Sequence, residues 1–112
     1  MWILGRVDDV IVRGGFKIRA GDVEDALVDH ERVGDAVVVG IPDGRLGSVP
    51  AAMVTVRGEG APVTGEDLRA HVRSRLAPYK VPVVVRIVDE IPRNAMMKPR
   101  RAEIRKALGG ET

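Results

Sequence analysis

Apolar residues fall into short runs separated by glycine, proline and charged positions, and the spacing inside each run names its element. Val10 to Arg13 and Phe16 to Arg19 read as extended segments, and Gly14-Gly15 between them suits a tight hairpin turn because glycine accepts positive φ. In "AGDVEDALVDH", Val23, Ala26, Leu27 and His30 recur at helical spacing, while Asp22, Glu24 and Asp25 crowd the first turn and complement its positive dipole end. A helix from about Asp22 to His30 is predicted. Val33 to Ile41 contains the continuous apolar run "AVVVGI", the pattern of a strand covered on both faces. "PDGRLG" supplies a turn, and Ala51 to Val56 is expected to pair back as a second strand.

"RGEGAPVTG" reads as a loop. Thr64 then precedes Asp67 at capping-box spacing, and Leu68, Val72 and Leu76 follow at regular helical intervals, so a second amphipathic helix is predicted. Pro78 and Pro82 in "APYKVP" end it, because proline disfavours helix in the residue before it, and "VVVRIV" reads as a third strand. Arg101 to Leu108 makes a short terminal helix with Ile104 and Leu108 inward and Gly109 as its stop. This order implies an α+β fold: a small, mainly three-stranded sheet with helices packed on it, preceded by a two-stranded β-hairpin.

The chain's 112 residues suit one domain with a single core. With one Trp, one Tyr and one Phe, that core is aliphatic and offers few platforms for stacking bases. The net charge of +2 is the residue of nearly balanced acids and bases, so nucleic acid is allowed as a partner but not indicated. The absence of cysteine excludes disulfides and thiolate metal sites and fits a reducing compartment. No apolar stretch approaches the ~20 residues of a membrane span, and no signal-peptide pattern opens the chain. A soluble, cytoplasmic protein is expected.

Standard chemical signatures are missing: no G-x-G-x-x-G after a strand and no G-K-S/T phosphate loop. His30 and His71 lie far apart without ligand-like spacing and are expected on helix surfaces. Asp8 and Asp9 are adjacent, and neighbours on an extended chain point opposite ways, which argues against shared metal ligation; no metal site is expected. Three polar stretches are not explained by the core: "GRVDD" with the glycine hairpin, "APYKVP", and "PRNAMMKPRR" around Lys98. Pattern alone leaves each a plain structural role, as surface ion pairs, a turn, or a half-buried Tyr79 anchor.

Taken in order, "GRVDDVIVRGGFKI", "DVEDALVDHERVGDAVVVGIPDGRLG", "LAPYKVP" and "VDEIPRNAMMKPRRAEIRKAL" resemble the motifs of one family, the C-terminal domain of the adenylate-forming acyl-CoA synthetases. The resemblance spans essentially the whole chain. It implies that residues 1–112 are a mobile lid domain, with 1–9 as hinge and linker. It also implies a separate N-terminal ATP-binding domain that supplies the phosphate loop, the acyl pocket and the Mg-binding acid. The chain alone is then expected to be inactive. The implied reaction joins a carboxylic acid to CoA with ATP, through an acyl-adenylate, releasing AMP and pyrophosphate.

Residue by residue, the resemblance makes Lys98 the adenylation lysine, Asp8 the hinge and Arg6 the arginine that meets the nucleotide. It makes Gly14, Gly15 and Phe16 the hairpin lining the pantetheine tunnel. Arg73, Pro78, Tyr79 and Lys80 fall where some relatives contact the CoA nucleotide. Two positions depart from the family pattern: Met97 stands where glycine is usual, and Ser48 where an acid is usual. Methionine takes positive φ less freely than glycine, so the first departure bears on the loop's backbone.

Two other functions compete with this one. A lid of the same family could serve the phosphopantetheine of a carrier protein, as in peptide synthetases and fatty acyl-AMP ligases. A basic module could instead bind nucleic acid through Lys98, Arg100, Arg101, Arg105 and Lys106, although Glu103 interrupts that cluster and aromatic platforms are scarce. On the leading reading Lys98 is catalytic, its arginine neighbours form a solvated helix face, and the partners are the N-terminal domain and CoA or a carrier, with no membrane.

Overall fold

The computed structural model describes residues 10–58, 60 and 62–110. Arg6, Asp8, Asp9 and the expected hinge segment 1–9 lie outside the described residues. Strands β1 (Val10–Arg13) and β2 (Phe16–Arg19) form the predicted hairpin, with Ile11 opposite Ile18 and Gly14 turning the chain at φ 60°. Helix α1 (Ala20–Val28) follows β2 directly and starts earlier than Asp22. Ala20 and Gly21 are buried, so packing extends the helix backward past the point where its acidic first turn would place the start. It also ends before His30, which sits in the following turn with Nδ1 accepting from the Arg32 N–H at 3.0 Å.

Strands β3 (Val33–Asp43) and β4 (Gly47–Val56) pair antiparallel and run longer than their apolar stretches. The turn between them is closed by Asp43 Oδ1, which accepts from the N–H groups of Leu46 and Arg45, each at 2.9 Å. Those bonds favour the carboxylate and hold its pKa below the usual range. Helix α2 (Gly65–Arg73) carries the predicted capping box: Thr64 Oγ1 accepts from the Asp67 N–H at 3.1 Å, and Asp67 accepts from the Thr64 N–H at 3.0 Å. Its first residue needs to be glycine, because a Cβ at Gly65 would collide with the Val85 carbonyl oxygen.

The chain then passes a 3₁₀ turn, Pro78–Lys80, and enters β5 (Val84–Ile87), which pairs parallel to β4. Parallel neighbours need a long crossover, and α2 supplies it. The three-stranded sheet β3-β4-β5 is thus present, and the hairpin joins it where Arg13 pairs with Gly47. Helix α3 (Arg101–Arg105) opens into a wider turn, Lys106–Gly110, with Gly109 at φ 116°.

Both sheet faces are covered, as the β3 run implied. Ala36, Val38, Ala52 and Val54 face α1 and α2 through Val23, Leu27, Leu68 and Val72. Val37, Val39, Ala51 and Met53 face the other way, against Ile91, Ile104 and Leu108. The outer edge of β3 is closed by side chains: the Val38 N–H donates to the Glu24 carboxylate at 2.8 Å, and the Val38 and Gly40 carbonyls accept from Arg101 and Arg105, each at 3.2 Å. This corrects the solvated arginine face expected from sequence, since unpaired edge carbonyls draw both half-buried guanidinium groups inward. Among the described residues, no helix is long and apolar enough to cross a membrane.

Candidate functional site

The hairpin tip, the β3–β4 turn and the 3₁₀ turn meet at an apolar groove of about 510 Å³. It gathers Gly14, Gly15, Phe16, Pro78 and Tyr79, which the sequence resemblance had grouped, and adds Arg13 and Leu46, which it had not. Phe16 and Tyr79 stack with centroids 4.2 Å apart and planes 19° from parallel. Arg13 Nη1 donates to the Tyr79 carbonyl at 3.0 Å, and the Gly14 N–H donates to the Leu46 carbonyl at 2.8 Å, so the three segments are tied together by hydrogen bonds as well as by packing. Lys80 flanks the groove with Nζ 5.9 Å from the Tyr79 ring centroid. Arg73 is not part of this lining; it is exposed on α2 and ion-paired with Glu66 at 3.8 Å.

Lys98 lies on a separate loop between the edge of the second core cluster and α3. Its side chain is exposed and makes no ion pair with any described residue. The backbone around it is held. Asn94 Oδ1 accepts from the N–H groups of Met96 at 2.8 Å and Lys98 at 3.0 Å, and the Asn94 N–H donates to the Lys98 carbonyl at 2.9 Å. Met97 adopts φ 65° and is the non-glycine residue in the left-handed region among those described. The departure from glycine at this position therefore leaves the left-handed backbone in place, supported by a hydrogen bond from the Met97 N–H to the Asn94 carbonyl at 2.8 Å.

The basic cluster around Lys98 is largely engaged within the domain. Arg100 pairs with Glu103 at 3.3 Å, and Arg101 and Arg105 reach β3. The continuous cationic stripe a nucleic-acid backbone would meet is thereby reduced mainly to Lys98 and Lys106.

His30 and His71, remote in sequence, make an edge-on contact with ring centroids 4.9 Å apart where α1 meets α2. His71 Nε2 accepts from Arg75 Nε at 3.0 Å, and Arg75 also pairs with Asp29 at 2.7 Å. Burial, reinforced by the positive charge of Arg75 and by His30, pushes the His71 pKa below its ordinary value, with Asp29 and the Ala26 backbone opposing. This contact was missed from sequence because only the α1–α2 packing creates it. Among the described residues, no group of His, Asp and Glu is arranged to hold a metal ion.

Comparison with known proteins gives this geometry a context. The family described as the AMP-binding enzyme C-terminal domain matches residues 22–98. Acetyl-coenzyme A synthetase of Penicillium chrysogenum is 38% identical over 112 residues, covering 98% of this chain and 17% of that protein. Long-chain-fatty-acid–CoA ligase of Bacillus subtilis (strain 168) is 40% identical over 111 residues, covering 99% of this chain and 19% of that protein. The crystal structure of Brucella canis acyl-CoA synthetase superposes with a TM-score of 0.79 at 38% identity, over 93% of this chain and 20% of that one. The chain therefore spans about a fifth of the length of these relatives. With the family pattern, the nearly full-length identity and the shared fold in agreement, the chain belongs to the AMP-binding enzyme C-terminal domain family, the C-terminal domain of the adenylate-forming synthetases.

Proposed function

We propose that this chain is the mobile C-terminal domain of an ATP-dependent acyl-CoA synthetase and that it supplies Lys98 to the first half-reaction and the hairpin groove to the second. The observation that carries this is the state of Lys98: an exposed ammonium without an ion-pair partner among the described residues, on a loop whose backbone is held by hydrogen bonds. In adenylation a carboxylate attacks the α-phosphate of ATP while negative charge moves onto the departing pyrophosphate. An ammonium placed between these anions in a water-poor cleft lowers the barrier most at the transition state. The cleft, the acyl pocket, the ATP site and the Mg-binding acid belong to the N-terminal partner domain on this proposal. Asp8 then acts as the hinge and Arg6 meets the nucleotide.

In thioester formation the groove takes the pantetheine arm. Gly14 and Gly15 present backbone without a Cβ to a thin ligand, and Phe16 and Tyr79 form an apolar wall for its methylene groups. Lys80 at the groove rim and Arg73 on α2 would face the phosphorylated end of CoA. The relatives above are named for acetyl and for long-chain fatty acyl substrates at nearly equal identity, which fits an acyl pocket located outside this domain.

The test is a fusion of this chain behind the large domain of the Bacillus subtilis ligase, with the parent ligase and the isolated chain as controls. The fusion is expected to release pyrophosphate in a fatty-acid-dependent manner that Lys98→Ala abolishes, while the isolated chain is inactive. A folded, ATP-binding fusion without acid-dependent release would sink the proposal. Competition between CoA and a holo carrier protein then identifies the thiol acceptor.

A further inference from the structure

The loop that presents Lys98 is organised by one side chain. The N–H and C=O of Lys98 both bond to Asn94, the first to Oδ1 at 3.0 Å and the second to the backbone N–H at 2.9 Å. Asn94 Oδ1 also holds the Met96 N–H at 2.8 Å, so a single carboxamide oxygen fixes two peptide groups of the loop. That is work an Asn or Asp can do and an aliphatic residue cannot.

Met97 makes this organisation necessary. Its φ of 65° is disfavoured for a side chain with a Cβ, and at 69% exposure no core packing compensates it. Its hydrogen bonds do. The Met97 N–H donates to the Asn94 carbonyl at 2.8 Å, and the Met97 carbonyl accepts from Arg93 Nη1 at 3.1 Å. Arg93 in turn pairs with Asp35 on β3, whose other oxygen accepts from the Ala36 N–H at 2.9 Å. A chain of contacts thus runs from the sheet through Asp35 and Arg93 to the loop, and ends one residue before Lys98.

We infer that Asn94, backed by Arg93 and Asp35, is the positioning device of Lys98: its carboxamide oxygen holds the N–H groups on either side of Met97, at Met96 and Lys98, and so presets the lysine's backbone before substrate arrives around a left-handed residue that a glycine would supply by its own freedom. This rests on the proposal that Lys98 is the adenylation charge. Asn94 is a positioning residue and touches no substrate. Its loss leaves the ammonium present but poorly aimed, and misplacement of a reacting group lowers turnover more than binding.

Two measurements separate this inference from the functional proposal beneath it. On the 112-residue chain, amide exchange followed by NMR is expected to quicken about two- to tenfold at Met96 and Lys98 in Asn94→Ala, as for loss of a typical hydrogen bond, while the core amides of Val38 and Val54 are unchanged. Asn94→Asp, which keeps the acceptor, is expected to retain the protection. In the fusion enzyme, Asn94→Ala is expected to lower kcat for pyrophosphate release about ten- to a hundredfold with KM for acid and ATP unaltered. The same substitution is expected to cost less in a Met97→Gly background, where the left-handed turn no longer needs support. Unchanged amide exchange in Asn94→Ala would overturn the inference whatever Lys98 does. Unchanged kcat in Asn94→Ala, with Lys98→Ala inactive, would overturn it while leaving the functional proposal standing. An equal loss with Met97 and with Gly at 97 would reduce Asn94 to a structural part unrelated to that strain, against the inference. If Lys98→Ala itself remains active, the functional proposal falls and the positioning role with it.

Discussion

Gly14, Phe16, Leu46 and Tyr79 reach the groove from three stretches of chain, whereas the Lys98 peptide is held by Asn94 of its own loop, which Arg93 ties to Asp35 on β3. The groove is held largely by packing, with stacked rings and a leucine against a glycine turn, and by two hydrogen bonds that tie its turns together, from Arg13 to the Tyr79 carbonyl and from the Gly14 N–H to the Leu46 carbonyl. The lysine loop has almost no packing, and Met96 and Met97 are 76% and 69% exposed. On the proposed function, the contrast follows from what each has to present. A thin, flexible arm is recognised by shape, which side-chain packing defines. A point charge is delivered by backbone placement, which hydrogen bonds define without covering the charge.

The contrast can be broken most sharply at Lys98. Lys98→Ala is expected to cost on the order of 3 kcal/mol or more in the adenylation barrier and to leave the chain's Tm unchanged, since the side chain makes no ion pair with the described residues. Pyrophosphate release and thermal melting check the two halves of that statement. Thioester formation from supplied acyl-adenylate is expected to survive in the same variant.

The complementary change is Tyr79→Ala. Loss of the Phe16 stack should cost about 0.5–1.5 kcal/mol of stability, beyond the burial of the ring itself, and should raise KM for CoA while sparing adenylation. A double-mutant cycle with Phe16→Ala reads the coupling directly; no coupling would show that the two rings act independently. A groove variant that stopped adenylation outright would erase the proposed division of labour.

A smaller effect is expected at Met97. Glycine there removes the left-handed penalty of roughly 1–2 kcal/mol but adds back roughly 0.5–1 kcal/mol of unfolded-chain entropy. Met97→Gly should therefore stabilise the chain by about 0.5–1 kcal/mol, read as a rise in the urea midpoint.

The smallest effect lies outside both regions. His71 has its pKa lowered by burial, by Arg75 and by His30, so the folded state binds its proton less readily than the unfolded chain. Stability should then fall as pH drops below the ordinary histidine value of 6.5, and level off once pH passes the lower folded-state pKa. Above that range the group contributes no slope. Protonation would also displace the hydrogen bond that Nε2 accepts from Arg75, although Asp29 nearby moderates the loss. Urea melts across this pH range on the chain and on His71→Gln check it; an unchanged slope in the variant would assign the effect elsewhere. Neither the groove nor the Lys98 loop should shift with it.

Much of the architecture was legible along the chain. The continuous apolar run "AVVVGI" describes a strand covered on both faces, as Ala36 and Val38 on one side and Val37 and Val39 on the other are, and Thr64 with Asp67 marks a helix start that the structure contains. Boundaries were less legible. Ala20 and Gly21 extend α1 and are buried, a tertiary effect that no local propensity encodes. Arg101 and Arg105 depart from the sequence expectation for a related reason: a helix-spaced arginine looks solvated until a neighbouring strand edge offers carbonyls without partners.

Local chemistry determined the elements and their turns, because side-chain periodicity, proline and glycine act on backbone within a few residues. The ordered motifs also pointed to the family and to Lys98. Only the tertiary structure decided that β5 lies parallel to β4, that Arg13 and Leu46 complete the groove, that His30 meets His71, and that Met97 can stand where glycine is usual. Each of these depends on a contact or a backbone angle set by groups that the chain brings together on folding, and the free energy of such contacts is not written in any single stretch of sequence.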